Sequence, residues 1–293
     1  MTMRWMAVAL WTALAGGGAP KAMDFTGPVE RFAPGVVSTS FSEVRLTLSP
    51  DGGTAIWFSR NRPGGAGGYD LWMSRRHGDG WSPPVPLPFN TPGRDFDPAF
   101  SADGRQLYFC SDRPGGAGGD DLYRVAVEGV AFGAVEWLGP AVNSTGNEFA
   151  PMLSPGGDRL LFSSDRAGGA GRQDLYVAAR DGAGFAQAGA LPGGVNTGAD
   201  EFDATFLHDG STIVFSRAAD LRRDRVDLYV TGVGPAGYDA GERLADGVNH
   251  PRYDSYAPML DWSQPRRLLF SGQREETGGT EVLSVVYSLP PAR

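Results

Sequence analysis

Five acidic residues stand at nearly even intervals along the chain: Glu43, Asp95, Glu148, Glu201 and Asp254. Each of the last four lies five residues after an asparagine, and those asparagines (Asn90, Asn143, Asn196 and Asn249) are 53 residues apart each time. Ser38 holds the same place before Glu43. Carboxylates gathered on one rim can hold a hard cation such as calcium, together with backbone carbonyls. They can also split a glycosidic bond, one as acid and one as base or nucleophile. For that reaction the candidates are Asp95 or Asp97, Glu148, and Glu201 or Asp203. The third use is structural, as partners of the arginines that open the glycine-rich segments, Arg62, Arg113 and Arg166. A feature repeated in every unit usually serves the scaffold, whereas a catalytic acid should stand out singly.

Several chemistries are excluded by composition. Lys21 is the only lysine, which removes Schiff-base and phosphate-loop lysines from the rest of the chain. Cys110 is the only cysteine and sits in an apolar run, so it reads as a small buried thiol rather than a nucleophile or metal ligand. The histidines His77, His208 and His250 have no metal-ligand spacing, and a Ser-His-Asp triad has little support. The segments at 61–68, 112–119 and 165–171 are rich in Gly-Gly-Ala-Gly but lack Gly-Lys-Ser/Thr and a following helix, so a nucleotide cradle is not expected. A formal net charge of −8, with only the short cluster Arg222, Arg223 and Arg225 on the basic side, argues against nucleic acid.

The elements that would position the acids repeat with them. Each unit has a strand opening at the acid, a turn (Asp51-Gly52, Asp103-Gly104, Gly156-Gly157, Asp209-Gly210), and an apolar run ending in Phe58, Phe109, Phe162, Phe215 or Phe270. Asp-Gly reads as a two-residue hairpin turn. A strand apolar at successive positions is covered on both faces. After the glycine loop comes a strand beginning Asp-Leu at Asp70, Asp121, Asp174 and Asp227, degenerate in the fifth unit at Glu281. A weaker fourth strand is expected around 85–89, 137–142 and 190–195. Units of four strands at a period in the fifties describe β-propeller blades.

The expected fold is therefore all-β, a five-bladed propeller of four-stranded antiparallel blades in one domain over residues 29–290. Six blades of this period would exceed the chain. The blades fall near 43–89, 95–142, 148–195, 201–248 and 254–289, the last completed by an N-terminal strand at 29–38 that closes the ring. Residues 1–22 combine a positive start, an apolar run of eleven and a small-residue tail, and are expected to be a secretory signal. Eleven apolar residues are too few to span a membrane.

The pattern Asn-x4-Asp/Glu-Phe-x-Pro-x-Phe/Leu-Ser-x-Asp-Gly-x-x-Leu-x-Phe-Ser-Ser-Asp-Arg-x-Gly-Gly-x-Gly-x-x-Asp-Leu-Tyr resembles the WD40-like repeat of the TolB-type β-propeller family. It extends over about residues 38–289 and is best matched at 96–123 and 149–176. The resemblance implies a periplasmic or secreted binding protein for an envelope protein or glycan, with no membrane span in the mature chain and no nucleic acid. TolB itself is six-bladed with an extra N-terminal domain, for which this chain lacks room, so its partnership does not transfer. The expected monomer would bind through the face carrying the Arg-Gly loops, with Glu43, Asp95, Glu148, Glu201, Asp254, Arg62, Arg113 and Arg166 as ligand-binding candidates. No cofactor is expected, with calcium left open. The alternative is a propeller-type glycoside hydrolase using the inner-strand carboxylates. Blades four (217–225) and five (273–276) break the glycine-loop pattern, where a specific site could lie.

Overall fold

A computed structural model describes residues 23–60, 62–276 and 279–290; the expected signal segment, 1–22, lies outside them. Five antiparallel sheets follow one another around a ring, each with its first strand innermost. The inner strands are Glu43–Leu48, Asp95–Phe100, Glu148–Leu153, Asp200–Phe206 and Ser255–Leu260. Each pairs with a second strand whose apolar residues are buried on both faces: Thr54–Arg60, Gln106–Ser111, Arg159–Ser164, Thr212–Ala218 and Arg267–Gly272. Burial on both faces follows from each sheet packing against two neighbouring blades.

The third strands open at the repeated Asp-Leu, or one residue before it in blade one: Tyr69–His77, Asp121–Glu128, Asp174–Asp181 and Asp227–Gly234, with Glu281–Ser288 in blade five. Of blades one to four, only blade two has a continuous outer strand, Ala131–Trp137, earlier than the expected 137–142. In blades one, three and four it is broken into two short pieces, such as Gly80–Trp81 and Val85–Pro86.

Closure is by the N-terminal strand, but by an earlier stretch than 29–38. Asp24–Arg31 pairs antiparallel with Glu281–Ser288, Asp24 opposite Ser288 and Arg31 opposite Leu283. Residues 32–38 form a tight turn instead, burying Phe32 and Val37 in the central core. The hydroxyl of Ser38 bonds the carbonyls of Phe32 and Val282, tying the start of the ring to its last blade. Apolar content drew the expectation toward Phe32 and Val37. The strand itself is polar because it is an outer one.

The Asp-Gly turns are also longer than two residues. In blade two the hairpin closes between the Ser101 N–H and the Gln106 carbonyl, and Asp103 accepts from the Ser101 hydroxyl and the Arg105 N–H. Gly104 sits at φ +70°, the left-handed region that makes glycine useful there.

Candidate functional site on the loop face

The repeated asparagine is a backbone mimic. Asn90, Asn143, Asn196 and Asn249 each accept a hydrogen bond from the N–H of the leucine that follows the third-strand aspartate and donate one back to its carbonyl. The partners are Leu71, Leu122, Leu175 and Leu228. Each side chain thus continues a ladder where the outer strand has ended.

With the chain so anchored, the residue after the asparagine meets the acid. The N–H and hydroxyl of Thr39, Thr91, Ser144 and Thr197 donate to Glu43, Asp95, Glu148 and Glu201. An arginine completes each pair: Arg62 to Glu43 at 3.2 Å, Arg113 to Asp95 at 2.7 Å, Arg166 to Glu148 at 3.0 Å and Arg217 to Glu201 at 2.7 Å. The four carboxylates have no exposed side-chain surface, and their arginines only 12–14%. Arg113, Arg166 and Arg217 also donate to the carbonyls of Phe89, Val142 and Val195 at the end of the preceding blade. Their guanidinium groups stack on aromatic rings, Arg166 on Tyr176 at 4.5 Å and Arg217 on Tyr229 at 4.7 Å. Burial raises the pKa of Glu43 despite Thr39 and Arg62, which act in the other direction.

Two site residues differ from expectation. In blade four the arginine is Arg217, two residues earlier in the unit than Arg62, Arg113 and Arg166. In blade five the loop after Asn249 carries one more residue, so Ser255, not Asp254, opens the inner strand. Ser255 pairs with Gly272 just as Glu148 pairs with Ser164. Asp254 is exposed and accepts from the Val226 N–H, outside the carboxylate girdle. The hydroxyl residues after each asparagine are what sequence reasoning missed. Their signal was Thr or Ser at that place in four units and His250 in the fifth.

A calcium ion does not fit this donor set. Each girdle carboxylate already accepts from an N–H and a hydroxyl and faces a guanidinium, which a cation would have to displace. Among the described residues no three His, Cys, Asp or Glu side chains are grouped for a metal. His208 bonds the Tyr287 hydroxyl, and His250 accepts the N–H groups of Arg252 and Tyr253.

The glycine loops fold onto their own strand. The N–H groups of Ala66 and Gly67 donate to Asp70, those of Ala117 and Gly118 to Asp121, and that of Gly171 to Asp174. A Cβ at Gly116 or Gly169 would collide with the Asp121 or Asp174 carboxylate. The backbone amides are therefore spent within the protein, which accounts for the glycines without a phosphate.

Below the girdle each inner strand carries a bulge with one residue in the left-handed region: Arg45, Asp97, Ala150, Asp203 and Ala257, φ 49–54°. Arg45, Asp97 and Asp203 form a buried charged cluster there. Nη2 of Arg45 reaches the Pro151 carbonyl at 3.3 Å, while Nε and Nη1 have no protein partner among the described residues. Asp97 accepts from the Ala150 N–H at 3.1 Å. Burial, then the neighbouring Asp203, raises the Asp97 pKa to about 7, and burial raises that of Asp203 to about 6, with Arg45 opposing both. Cys110 is fully buried beside Asp97, its thiol pKa pushed up by burial.

On the loop face a groove of about 400 Å³ lies between blades three and four, lined by Gly168, Gly169, Arg172, Gln173, Leu221 and Arg222 among others. It forms where blade four leaves the repeat. Arg172 bridges Asp200 and Asp220, Leu221 is 40% exposed, and the Gln173 Oε1 is buried without a partner.

With this geometry in place, comparison with solved structures is informative about fold. TolB from Acinetobacter baumannii superposes with a TM-score of 0.53 at 16% identity, covering 83% of this chain and 54% of that one. A putative TolB from Agrobacterium tumefaciens gives 0.52 at 15% identity, over 85% and 84% of the two chains. In fold the chain is a TolB-like propeller, here of five blades. It spans about half the length of the Acinetobacter protein. An α-L-arabinofuranosidase from Podospora anserina scores 0.54 at 13% identity over 92% and 98%, so the TolB-like architecture is shared with a carbohydrate-active enzyme. No family model matches the sequence, and no curated protein matches it.

Proposed function

We propose that this chain is an exported binding module that engages an envelope protein or glycan through the face carrying the glycine loops. The observation that carries the reading is that all four girdle carboxylates are buried and bonded to arginine, so none of the four stands free as an acid or base at the rim. A glycoside hydrolase needs two carboxylates open to substrate, about 5–10 Å apart. What the loop face offers instead is relief: the blade-four segment 219–225, with exposed Leu221, Arg222 and Arg223 beside the groove. Departure from a repeat on an otherwise uniform rim favours recognition there. Export rests on the character of residues 1–22. Among the described residues no helix is long and apolar enough to cross a membrane.

The test is affinity capture on envelope extracts and a glycan array, each with the natural chain and with a variant whose segment 219–225 is replaced by the blade-two loop. Binding lost with the graft supports the reading; equal binding by both overturns it. Hydrolysis is the second reading, favoured by the raised pKa values of Asp97 and Asp203. Against it, these side chains belong to residues only 4% and 7% exposed. Release of sugars from arabinan, lost in Asp97→Asn, would support hydrolysis instead.

A further inference from the structure

Blade five retains the donors of the girdle but not its acid. In blades one to four the carboxylate accepts from the N–H after the repeated asparagine or serine and from an arginine. In blade five the corresponding donors are the His250 N–H and the Arg274 guanidinium. Arg274 stacks on Phe270 at 5.4 Å and reaches the Val248 carbonyl at 2.7 Å, as Arg166 reaches that of Val142. Facing them is Ser255, whose hydroxyl is turned to Val248 and lies 3.3 Å from Arg274 Nη1. Among the described residues Arg274 makes no salt bridge, and the His250 N–H has no partner. Burial lowers the Arg274 pKa to about 10, with Glu281 opposing.

We infer that Arg274 and the His250 N–H form a cradle for a carboxylate on a partner polypeptide, one Asp or Glu side chain taking the place that Glu43, Asp95, Glu148 and Glu201 occupy in the other blades. This rests on the binding reading above and names the chemistry recognised. The other four blades show what fits: a carboxylate on a stem of one methylene (Asp95) or two (the glutamates), wholly enclosed. A uronic acid carries its carboxylate directly on the sugar ring, without the methylene stem that all four of these carboxylates have. Neighbouring charge agrees. Asp227 is held by Arg225 and Arg243, Glu275 and Glu281 by Arg31, and the exposed Asp254 accepts from the Val226 N–H, whereas exposed Arg252 makes no salt bridge among the described residues and stacks on Tyr253 at 5.3 Å. Arg274, Arg252 and Arg225 together, after burial, lower the pKa of His250, as a local positive field requires.

The probe is glutamate blocked at both ends, titrated into the full chain at constant ionic strength and followed by thermal shift and by NMR of the His250 amide. Equally blocked glutamine and free galacturonate are the comparisons. Glutamate is expected to stabilise saturably and to move the amide, with glutamine at least about tenfold weaker because its bonds are not charge-assisted. Ser255→Glu supplies the acid from within, and is expected to melt higher without ligand and to stop responding. Arg274→Gln should stop responding as well. The inference is overturned if glutamate gives no response, if glutamine or galacturonate equals it, or if Ser255→Glu melts lower or responds as the natural chain does. Failure here with capture still dependent on segment 219–225 leaves the binding reading intact. Loss of that dependence with the glutamate response intact overturns only the binding reading.

Discussion

The side-chain amide of Asn143 accepts from the Leu122 N–H at 2.7 Å and donates to the Leu122 carbonyl at 3.1 Å, so one side chain does the work of a neighbouring strand. Both Leu122 groups are buried. Asn143→Ala leaves the Leu122 N–H unpaired, while the carbonyl keeps the Leu138 N–H, and is expected to cost about 1–3 kcal/mol for the one orphaned group. Urea unfolding monitored by tryptophan fluorescence measures it; a loss under about 1 kcal/mol would show that water replaces the amide.

Glu148 and Arg166 make a second test, of the girdle as scaffold. Removing one partner strands a buried charge, so Arg166→Ala should destabilise by about 3–5 kcal/mol. Replacing both with apolar residues of similar volume, Glu148→Leu with Arg166→Met, should recover much of that loss. Equilibrium denaturation of the two variants checks it. A single variant as stable as the natural chain would free these residues for ligand binding.

The buried cluster beneath the girdle predicts a pH dependence. The pKa values of Asp97 and Asp203 are raised in the folded state, to about 7 and about 6, so the fold holds their protons more tightly than the unfolded chain does. Their contribution is therefore most favourable below the ordinary carboxylate pKa and is lost as pH rises through 6 and 7. Asp97→Asn keeps an acceptor for the Ala150 N–H and cannot ionise. It should be more stable than the natural chain at pH 8, by on the order of 2–4 kcal/mol, and nearly equal to it at pH 4. Denaturation at both pH values reads this directly; a difference independent of pH would show that Asp97 does not titrate in this range.

Ring closure predicts that the strand Asp24–Arg31 is indispensable. A chain beginning at residue 33 should lose its single cooperative melting transition, because the Glu281–Ser288 strand is left as an open sheet edge. A synthetic peptide of residues 23–32 added in trans should restore the transition. Cooperative melting without either would locate stability in the individual blades.

The 53-residue spacing and the double-faced apolar strands made blade number and strand order legible, because both are properties of every unit. Local exceptions were harder to see. Asp254 keeps the sequence interval from Asn249 yet misses the girdle, since one added loop residue moves Ser255 into its place. Arg217 comes from a different unit position than Arg166, and the shared carboxylate, carbonyl and aromatic partners make them equivalent. Arg45 sits within Val44-Arg45-Leu46-Thr47-Leu48, where alternation alone cannot reveal that a bulge turns it inward beside Asp97 and Asp203. The glutamine–leucine groove of blade four was visible only as a lapse in the glycine pattern.

Arg31 and Glu281 touch across a sequence separation of 250 residues. Polypeptide emerges from the ribosome in one direction, so the first four petals can assemble from contiguous stretches while the fifth waits for the final strand to appear. Such long-separation pairing is intrinsically slow. Until then the newborn chain keeps a tacky seam at either extremity, where two unfinished copies can stick to one another.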